Sequence, residues 1–571
     1  MLGRTLLILI LPVLLANPAL SDRPLAYVER STGLSQPGLE QGATELEFGD
    51  LNGDGFPDLV SVGDHNNPGT DQNGIMVWFG SAAGTWTFAQ SGGGFGYGGV
   101  AVADVNGDGL LDVGFGIHHD YVASGLGSQL LNVALGDGTG QQWTAWSDGL
   151  ATSGETWGMF GTDFADVDND GLLDIGSISF GCCAGLHVYR NHGDGTWTHS
   201  WGFLGGNSSL QFVFGDINGD GQADFASSHG DGTVYLGDGA GNFVLADGNL
   251  PFALGRFGIS LGDVTGNGRA DLCFQTTSGV HVYSWVAPGQ WQNLSGILAS
   301  VPNVKLTQIA DMNLDGFGDV IVLMHGQIRV YTGDGQGNWE LATTISMPAA
   351  CNSRALRTGT DIDHNGYPDI AVIAEEDCHW FPGIGGTNTL RCYAESSTPA
   401  ETFIYPKYPR GGETWIAGSV RFIDWHAAVP PGSQPAIAIE LSRGGPDGQF
   451  LPIATGLTNN GRFQWTVPAG LASSTNCYLR LTLDTEPPAV VTTPAPFTIV
   501  NLNPPAAGDM NCDGLINAFD IDPFVLALTN PAAYAAQYPE CDFMLADING
   551  DGLVNAFDID PFVLLLTGAG K

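Results

Sequence analysis

The sequence predicts a mainly β protein in three parts: a seven-bladed β-propeller, a β-sandwich, and a small α-helical module built on a duplicated acidic loop. Three observations carry this. A nine-residue motif, Asp50-Leu-Asn52-Gly-Asp54-Gly-Phe-Pro-Asp58, recurs seven times before residue 370, at steps of 54, 62, 50, 47, 48 and 50 residues. Beyond residue 400 the motif stops while strand patterns continue. Residues 501–571 hold two near-identical loop–helix segments.

The motif copies begin at Asp50, Asp104, Asp166, Asp216, Asp263, Asp311 and Asp361. Each puts oxygen-bearing side chains at positions one, three, five and nine, usually with glycine at position six. Alternate positions of a tight loop point inward, and glycine lets the backbone turn there. Hard oxygens converging within one loop favour a cation such as Ca²⁺. Asp-Asn-Gly runs also make ordinary turns, but seven in near-register argue for a metal. A short strand pattern precedes each loop, as in Leu46–Gly49, Val100–Ala103 and Phe212–Gly215, and another follows, as in Leu59–Val62 and Ile370–Ile373. A small residue or Thr360 stands just before each first Asp, which suits close approach of neighbouring backbone. Hairpin markers follow most loops, for example Leu236-Gly-Asp-Gly-Ala-Gly-Asn-Phe243. About four strands per unit of about 50 residues predict blades in a ring, with residues near Leu25–Val28 completing the last blade. An elongated solenoid is the architectural alternative, although it usually has shorter repeats.

This region, residues 22–400, resembles the FG-GAP or VCBS repeat family, the propeller of integrin α-subunit heads. The resemblance implies Ca²⁺ held through loop positions one, three, five and nine. On this sequence those are Asp50, Asn52, Asp54 and Asp58; Asp104, Asn106, Asp108 and Asp112; Asp166, Asp168, Asp170 and Asp174; and Asp216, Asn218, Asp220 and Asp224. The later loops supply Asp263, Thr265, Asn267 and Asp271; Asp311, Asn313, Asp315 and Asp319; and Asp361, Asp363, Asn365 and Asp369. The loop at Asp263 has only two carboxylates and is expected to bind most weakly, because affinity follows ligand charge.

Residues 1–21 read as a secretory signal, with Arg4 before an apolar run from Leu6 to Leu15 and cleavage after Ser21. The expected location is secreted and extracellular, with attachment to a cell surface as an option, and no transmembrane segment remains after signal removal. The formal charge of -42 argues against nucleic acid and anionic membranes as partners. Of the 60 acidic residues, 27 lie in the candidate metal loops, so nine bound Ca²⁺ would leave about -24. Nine cysteines is an odd number, with Cys512–Cys541 the preferred disulfide and Cys273 a buried small hydrophobe.

Catalytic patterns lack their contexts. Gly258-Ile-Ser260-Leu-Gly262 has the spacing of a nucleophile elbow but leads into a metal loop, with no helix after it. Gly94-Phe-Gly96-Tyr-Gly-Gly99 matches a dinucleotide fingerprint without a βαβ unit. His65, His118, His119, His229 and His325, with Glu375 and Glu376, fall just past the second strand of their units. They are either turn residues or a rim that binds a ligand or holds an acid–base pair.

Residues 401–500 carry about seven strand patterns and predict an Ig-like β-sandwich. The stretch from Pro409 through Gly411-Gly-Glu-Thr-Trp415 to Trp425 is similar to the N-terminal domain of yeast cell-wall synthesis proteins. Trp415, Trp425 and Trp465 are either core or a carbohydrate platform. In residues 501–571 two loops fit a twelve-residue calcium pattern: Asp509, Asn511, Asp513, Asn517 and Asp520, then Asp547, Asn549, Asp551, Asn555 and Asp558. Asp522 and Asp560 are expected to cap helices starting at Pro523 and Pro561. This segment resembles a dockerin of the variant with Cys in its first loop. The resemblance implies a cohesin-like or other surface anchoring partner, chosen by Ala518 and Phe519 and by Ala556 and Phe557, in two orientations. The expected function is a calcium-binding, non-catalytic adhesion or recognition scaffold whose propeller binds a protein or polysaccharide. The alternative is a propeller-type polysaccharide lyase or glycoside hydrolase carried on a dockerin.

Overall fold

The computed structural model describes residues 24–35, 44–63, 74–90, 98–117, 126, 129–156, 158–179, 185–206, 208–251, 258–376, 387–399, 401–502, 506–512, 514–538 and 541–567. Residues 1–21, expected to be a secretory signal, lie outside the described residues, as do His65, Gly94, Gly96, His118, His119 and Asp513.

The repeats fold as seven four-stranded antiparallel sheets. In the first, Glu47–Gly49, Asp58–Gly63, Gly74–Phe79 and Thr87–Gln90 pair in chain order. The same meander starts at Val100, Met159, Ser208, Ser260 and Val304. The last sheet takes Ala350–Thr360, Asp369–Glu376 and Thr387–Glu395, and the N-terminal strand Tyr27–Glu29 supplies its fourth member, pairing Val28 with Ala394. Its outer edge is thereby covered from the far end of the chain, as expected from the sequence.

The sheets are arranged like a propeller. First strands of successive sheets lie side by side, and Glu47–Gly49 also touches Ala350–Thr360. The apolar core sits between sheets. One cluster joins Val60, Val62 and Val77 of the first sheet to Val100, Val113 and Phe115 of the second. Another joins Leu59, Met76 and Trp78 to Ala371, Ile373 and Leu390 of the last. Each fully buried Val, Leu or Ile there contributes about 1.5–3 kcal/mol. Neighbouring backbones approach closely. A Cβ on Gly99 would lie 1.6 Å from the Phe160 carbonyl oxygen, and one on Gly262 would lie 2.6 Å from Ile309.

Innermost strands would leave unpaired N–H groups facing the axis, and long polar side chains cover several of them. Glu45 Oε2 accepts from Val100 N and Thr162 N, both at 3.1 Å. Asp163 accepts from Phe214 N at 2.8 Å, and Gln211 from Ile259 N at 3.1 Å. Between these strands runs a central cavity of about 910 Å³.

Residues 403–500 form a three-stranded sheet, Phe403–Tyr408, Val420–Ala428 and Arg462–Thr466, and a six-stranded one around Ser474–Leu483 and Ile437–Ser442. Trp415 and Trp425 are core residues, 0% and 1% exposed, and Trp465 packs against the same cluster. Trp425 donates to Asn459 at 2.8 Å. The three tryptophans therefore form no exposed platform.

The C-terminal segment has three helices, α1 (Ile521–Thr529), α2 (Pro531–Gln537) and α3 (Ile559–Thr567). The two copies meet at Phe524 and Phe562, stacked with centroids 4.1 Å apart. Cys512 is bonded to Cys541 with Cα atoms 5.9 Å apart, as expected. The expected helix caps are corrected. α1 and α3 begin at Ile521 and Ile559, two residues before the prolines, so Asp522 and Asp560 are inside the first turn. Asn517 and Asn555 do the capping, one turn earlier, with Asp520 and Asp558 closing each capping box.

Candidate metal centres

In all seven repeats the first strand ends on the residue before the first Asp, and the second strand begins on the ninth-position Asp. Each loop is therefore a strand-to-strand connection of fixed length. In the first, Gly55 N donates to Asp50 Oδ2 at 3.0 Å and Asp54 N to Asn52 Oδ1 at 3.0 Å. The ninth Asp is a clamp: Leu51 N and Gly80 N donate to the two oxygens of Asp58, each at 2.9 Å. The position-two N–H makes the same bond to Asp112, Asp174, Asp224, Asp271, Asp319 and Asp369. These clamp residues are 0–1% exposed. A carboxylate oxygen has lone pairs to spare, so a clamped Asp can also face a cation.

Two loops bring three carboxylates together, Asp166 with Asp168 and Asp174, and Asp361 with Asp363 and Asp369, their ligand atoms within 4.8 Å of one another. Burial, with neighbouring carboxylates adding to it, pushes Asp50, Asp166, Asp216 and Asp315 up to about 6, Asp112 and Asp271 to about 7, and Asp58 and Asp224 to about 8. Asp174, Asp319, Asp361 and Asp369 rise well above the usual range for the same reason. By contrast Asp137, in an exposed hairpin turn, is lowered by the Thr139 hydroxyl.

The donor set fits a hard cation. Asp50 Oδ1 and Asp168 Oδ1 are buried with no hydrogen-bond partner among the described residues. Such oxygens are costly unless something positive meets them. The loop at Asp263 differs. There Thr265 Oγ1 lies 3.1 Å from Asp271 and 3.3 Å from Asp263, tying the two carboxylates with a hydroxyl. In the C-terminal loops, Gly514 N donates to Asp509 Oδ2 at 3.0 Å and Gly552 N to Asp547 Oδ2 at 2.7 Å. Asp520 and Asp558 are fully buried and accept N–H groups of Asn517 and Asn555.

The other candidates are placed as follows. Ser260 lies on a strand paired to Cys273 and leading into a loop, with no helix after it. His325 Nδ1 lies 2.6 Å from Ala350 O, and His229 Nε2 lies 2.9 Å from Gly205 O. Glu375 pairs with Arg354 at 2.6 Å and Glu376 with Arg391 at 2.9 Å. Each of these four described rim residues has a local partner, and the expected position is corrected: only His325 lies past its second strand, whereas His229, Glu375 and Glu376 are the last residues of theirs.

Residues 405–464 carry no pattern that marks them as sitting on the loops, yet all seven loops are touched. Asn460 and Gln434 reach the first loop, at Asp50 Oδ2 (3.4 Å) and Asp54 O (2.8 Å). Gln464 grips both N and O of Asp104, at 3.2 and 2.7 Å. Val420 N donates to Asp166 Oδ2 at 2.9 Å, and Thr414 Oγ1 to Gly219 O at 3.1 Å. Gly268 lies so near the middle domain that a Cβ would be 2.3 Å from Glu413 N. Tyr405 OH donates to Asp311 Oδ2 at 2.6 Å, and Val429 N to His364 O at 3.1 Å. Lys407, Arg410, Phe422 and Arg462 also line the central cavity.

A family model, the FG-GAP-like repeat, matches residues 43–115, 178–227 and 311–372. No curated protein matches the chain. Among solved structures, an Agrocybe aegerita lectin described as recognising non-reducing terminal N-acetylglucosamine is 20% identical, with 54% of this chain and 80% of that one covered, at a TM-score of 0.35. A luciferin-regenerating enzyme is 9% identical, covering 66% and 98%, at 0.34. BBS1N, solved in complex with ARL6DN, is 13% identical over the same shares, at 0.39.

Proposed function

We propose that the chain is a secreted, calcium-stabilised, non-catalytic recognition scaffold. A closed seven-bladed propeller presents a surface to a protein or polysaccharide, a β-sandwich is fixed against it, and a dockerin-like tail attaches the whole. The observation that carries the reading is the sevenfold loop, with its ninth-position carboxylates buried at a strand start and oxygens of Asp50 and Asp168 left without partners among the described residues. Asp, Asn and Thr at positions one, three, five and nine would hold Ca²⁺ in each. The ion supplies charge neutralisation and a tie between two strands, not an open coordination position for substrate. The loop at Asp263 is the weakest member, because its hydroxyl already does part of that work.

The tail reading is supported by its surface. Phe519 and Phe557 are 78% and 79% exposed, at equivalent places in the two copies. With Ile521 and Val525 in one copy, and Ile559 and Val563 in the other, also exposed, each copy presents several apolar side chains, as binding surfaces do. Their duplication fits a partner that docks in either of two orientations. The test is elemental analysis of the purified chain for calcium, with a glycan array beside a polysaccharide-degradation assay. Several calcium ions per chain, glycan or protein binding, and no degradation are expected. Degradation of any polysaccharide would overturn the non-catalytic reading, and a chain without calcium would overturn the scaffold reading.

A further inference from the structure

The middle domain meets the loop ring through the same carboxylates that would face a cation. Val420 N, Tyr405 OH and Asn460 Nδ2 address Oδ2 of Asp166, Asp311 and Asp50. In each of these loops the glycine at position six donates to that same Oδ2, at 3.1, 2.9 and 3.0 Å. Two donors on one oxygen fix the carboxylate plane and turn Oδ1 to the loop interior, where Asp170 N and Asp315 N reach it at 3.1 Å in the loops of Asp166 and Asp311. Asp50 Oδ1 is the buried, partnerless case. Docking therefore orients the first ligand of a cage, and it also strips water from it.

We infer that docking of the middle domain and calcium occupancy of the loop ring are thermodynamically coupled, each strengthening the other; this rests on the calcium reading of the loops. Covering carboxylates that hold no cation costs more desolvation than covering neutralised ones, and Arg410 and Arg421 of the middle domain offset only part of it at Asp311 and Asp166, which stay raised. Calcium thus favours the docked state, and by linkage the docked state favours calcium. The coupling also governs the central cavity, because Lys407, Phe422, Asp424 and Arg462 leave its wall when the domain lifts.

Reciprocity supplies a test on the full chain that leaves every proposed ligand intact. Among the described residues the side chains of Gln434 and Gln464 bond to backbone atoms alone, those of Asp54 and Asp104. The double variant Gln434→Ala with Gln464→Ala is titrated with calcium and followed by residue-resolved hydrogen exchange. Exchange at Val420 and Val429, whose N–H groups cross the interface, should quicken at least fivefold in subsaturating calcium. Leu481, inside the six-stranded sheet, should not change. Calcium affinity should fall about fivefold as well. Quickened exchange with an unchanged calcium isotherm would overturn the coupling while leaving calcium binding standing. A wild-type chain that takes up no calcium would overturn the loop reading itself.

Discussion

Asp224→Asn separates the two jobs assigned to a ninth-position aspartate. The side chain is fully buried. Its Oδ2 accepts from Ile217 N at 2.9 Å and its Oδ1 from Gly237 N at 2.8 Å. Asparagine keeps one acceptor and turns an amide NH₂ toward the other N–H. A hydrogen bond to a charged group is worth about 1.5–3 kcal/mol, so the loss in calcium, with the metal's carboxylate also gone, is about 3 kcal/mol. Without calcium the same change costs far less. Burial pushes the Asp224 carboxyl up to about 8, so at pH 7 the metal-free side chain is mostly the neutral acid, which asparagine imitates. Its cost there is about 1 kcal/mol or less. Urea unfolding of wild type and variant, with calcium and after chelation, gives all four values. Equal losses in both buffers would show a backbone clamp that is no ligand.

Thr265→Asp restores a carboxylate to the weakest loop and removes the hydroxyl that ties Asp263 to Asp271. It should add one calcium to the measured stoichiometry, or tighten the weakest site about tenfold; an unchanged isotherm would contradict the ranking. His426, fully buried beside Lys407, is pushed down to about 3 by burial. The unfolded chain takes up that proton near pH 6.5 and the folded chain does not, so the contribution of this residue is full above about pH 6.5 and is lost on acidification, about 2 kcal/mol by pH 5, against the opposite slope of the raised carboxyls. His426→Gln should flatten that slope in pH-dependent unfolding of the full chain. Phe519→Ala and Phe557→Ala, tested singly against a cohesin domain, should each leave binding through the other copy. The double variant should lose it, whereas loss with either single variant would exclude two-way docking.

The loops were legible because the spacing of Asp and Asn, glycine and strand length are all local. Each strand boundary at the ninth Asp follows from the chain's need to leave a nine-residue loop extended. The pairing of Val28 with Ala394 was also readable, since a ring of four-stranded units needs its last strand from somewhere. The helix starts were misread by two residues because Pro523 and Pro561 suggested first-turn positions while the capping boxes lie upstream. The domain docking was illegible. Gln464 meets Asp104 across 360 residues, and a glutamine in a strand looks the same whether it faces water or a neighbour's backbone. The clips made by Glu45 and Gln211 were missed for the same reason.

The central claim is that calcium held by aspartates fixes the ring of sheets. Thermal melting of the purified full chain in calcium and in excess chelator, with bound calcium counted by elemental analysis, tests it most directly. The account predicts several ions per chain and a melt that drops by many degrees on chelation. No bound calcium, with superimposable melts, would contradict it.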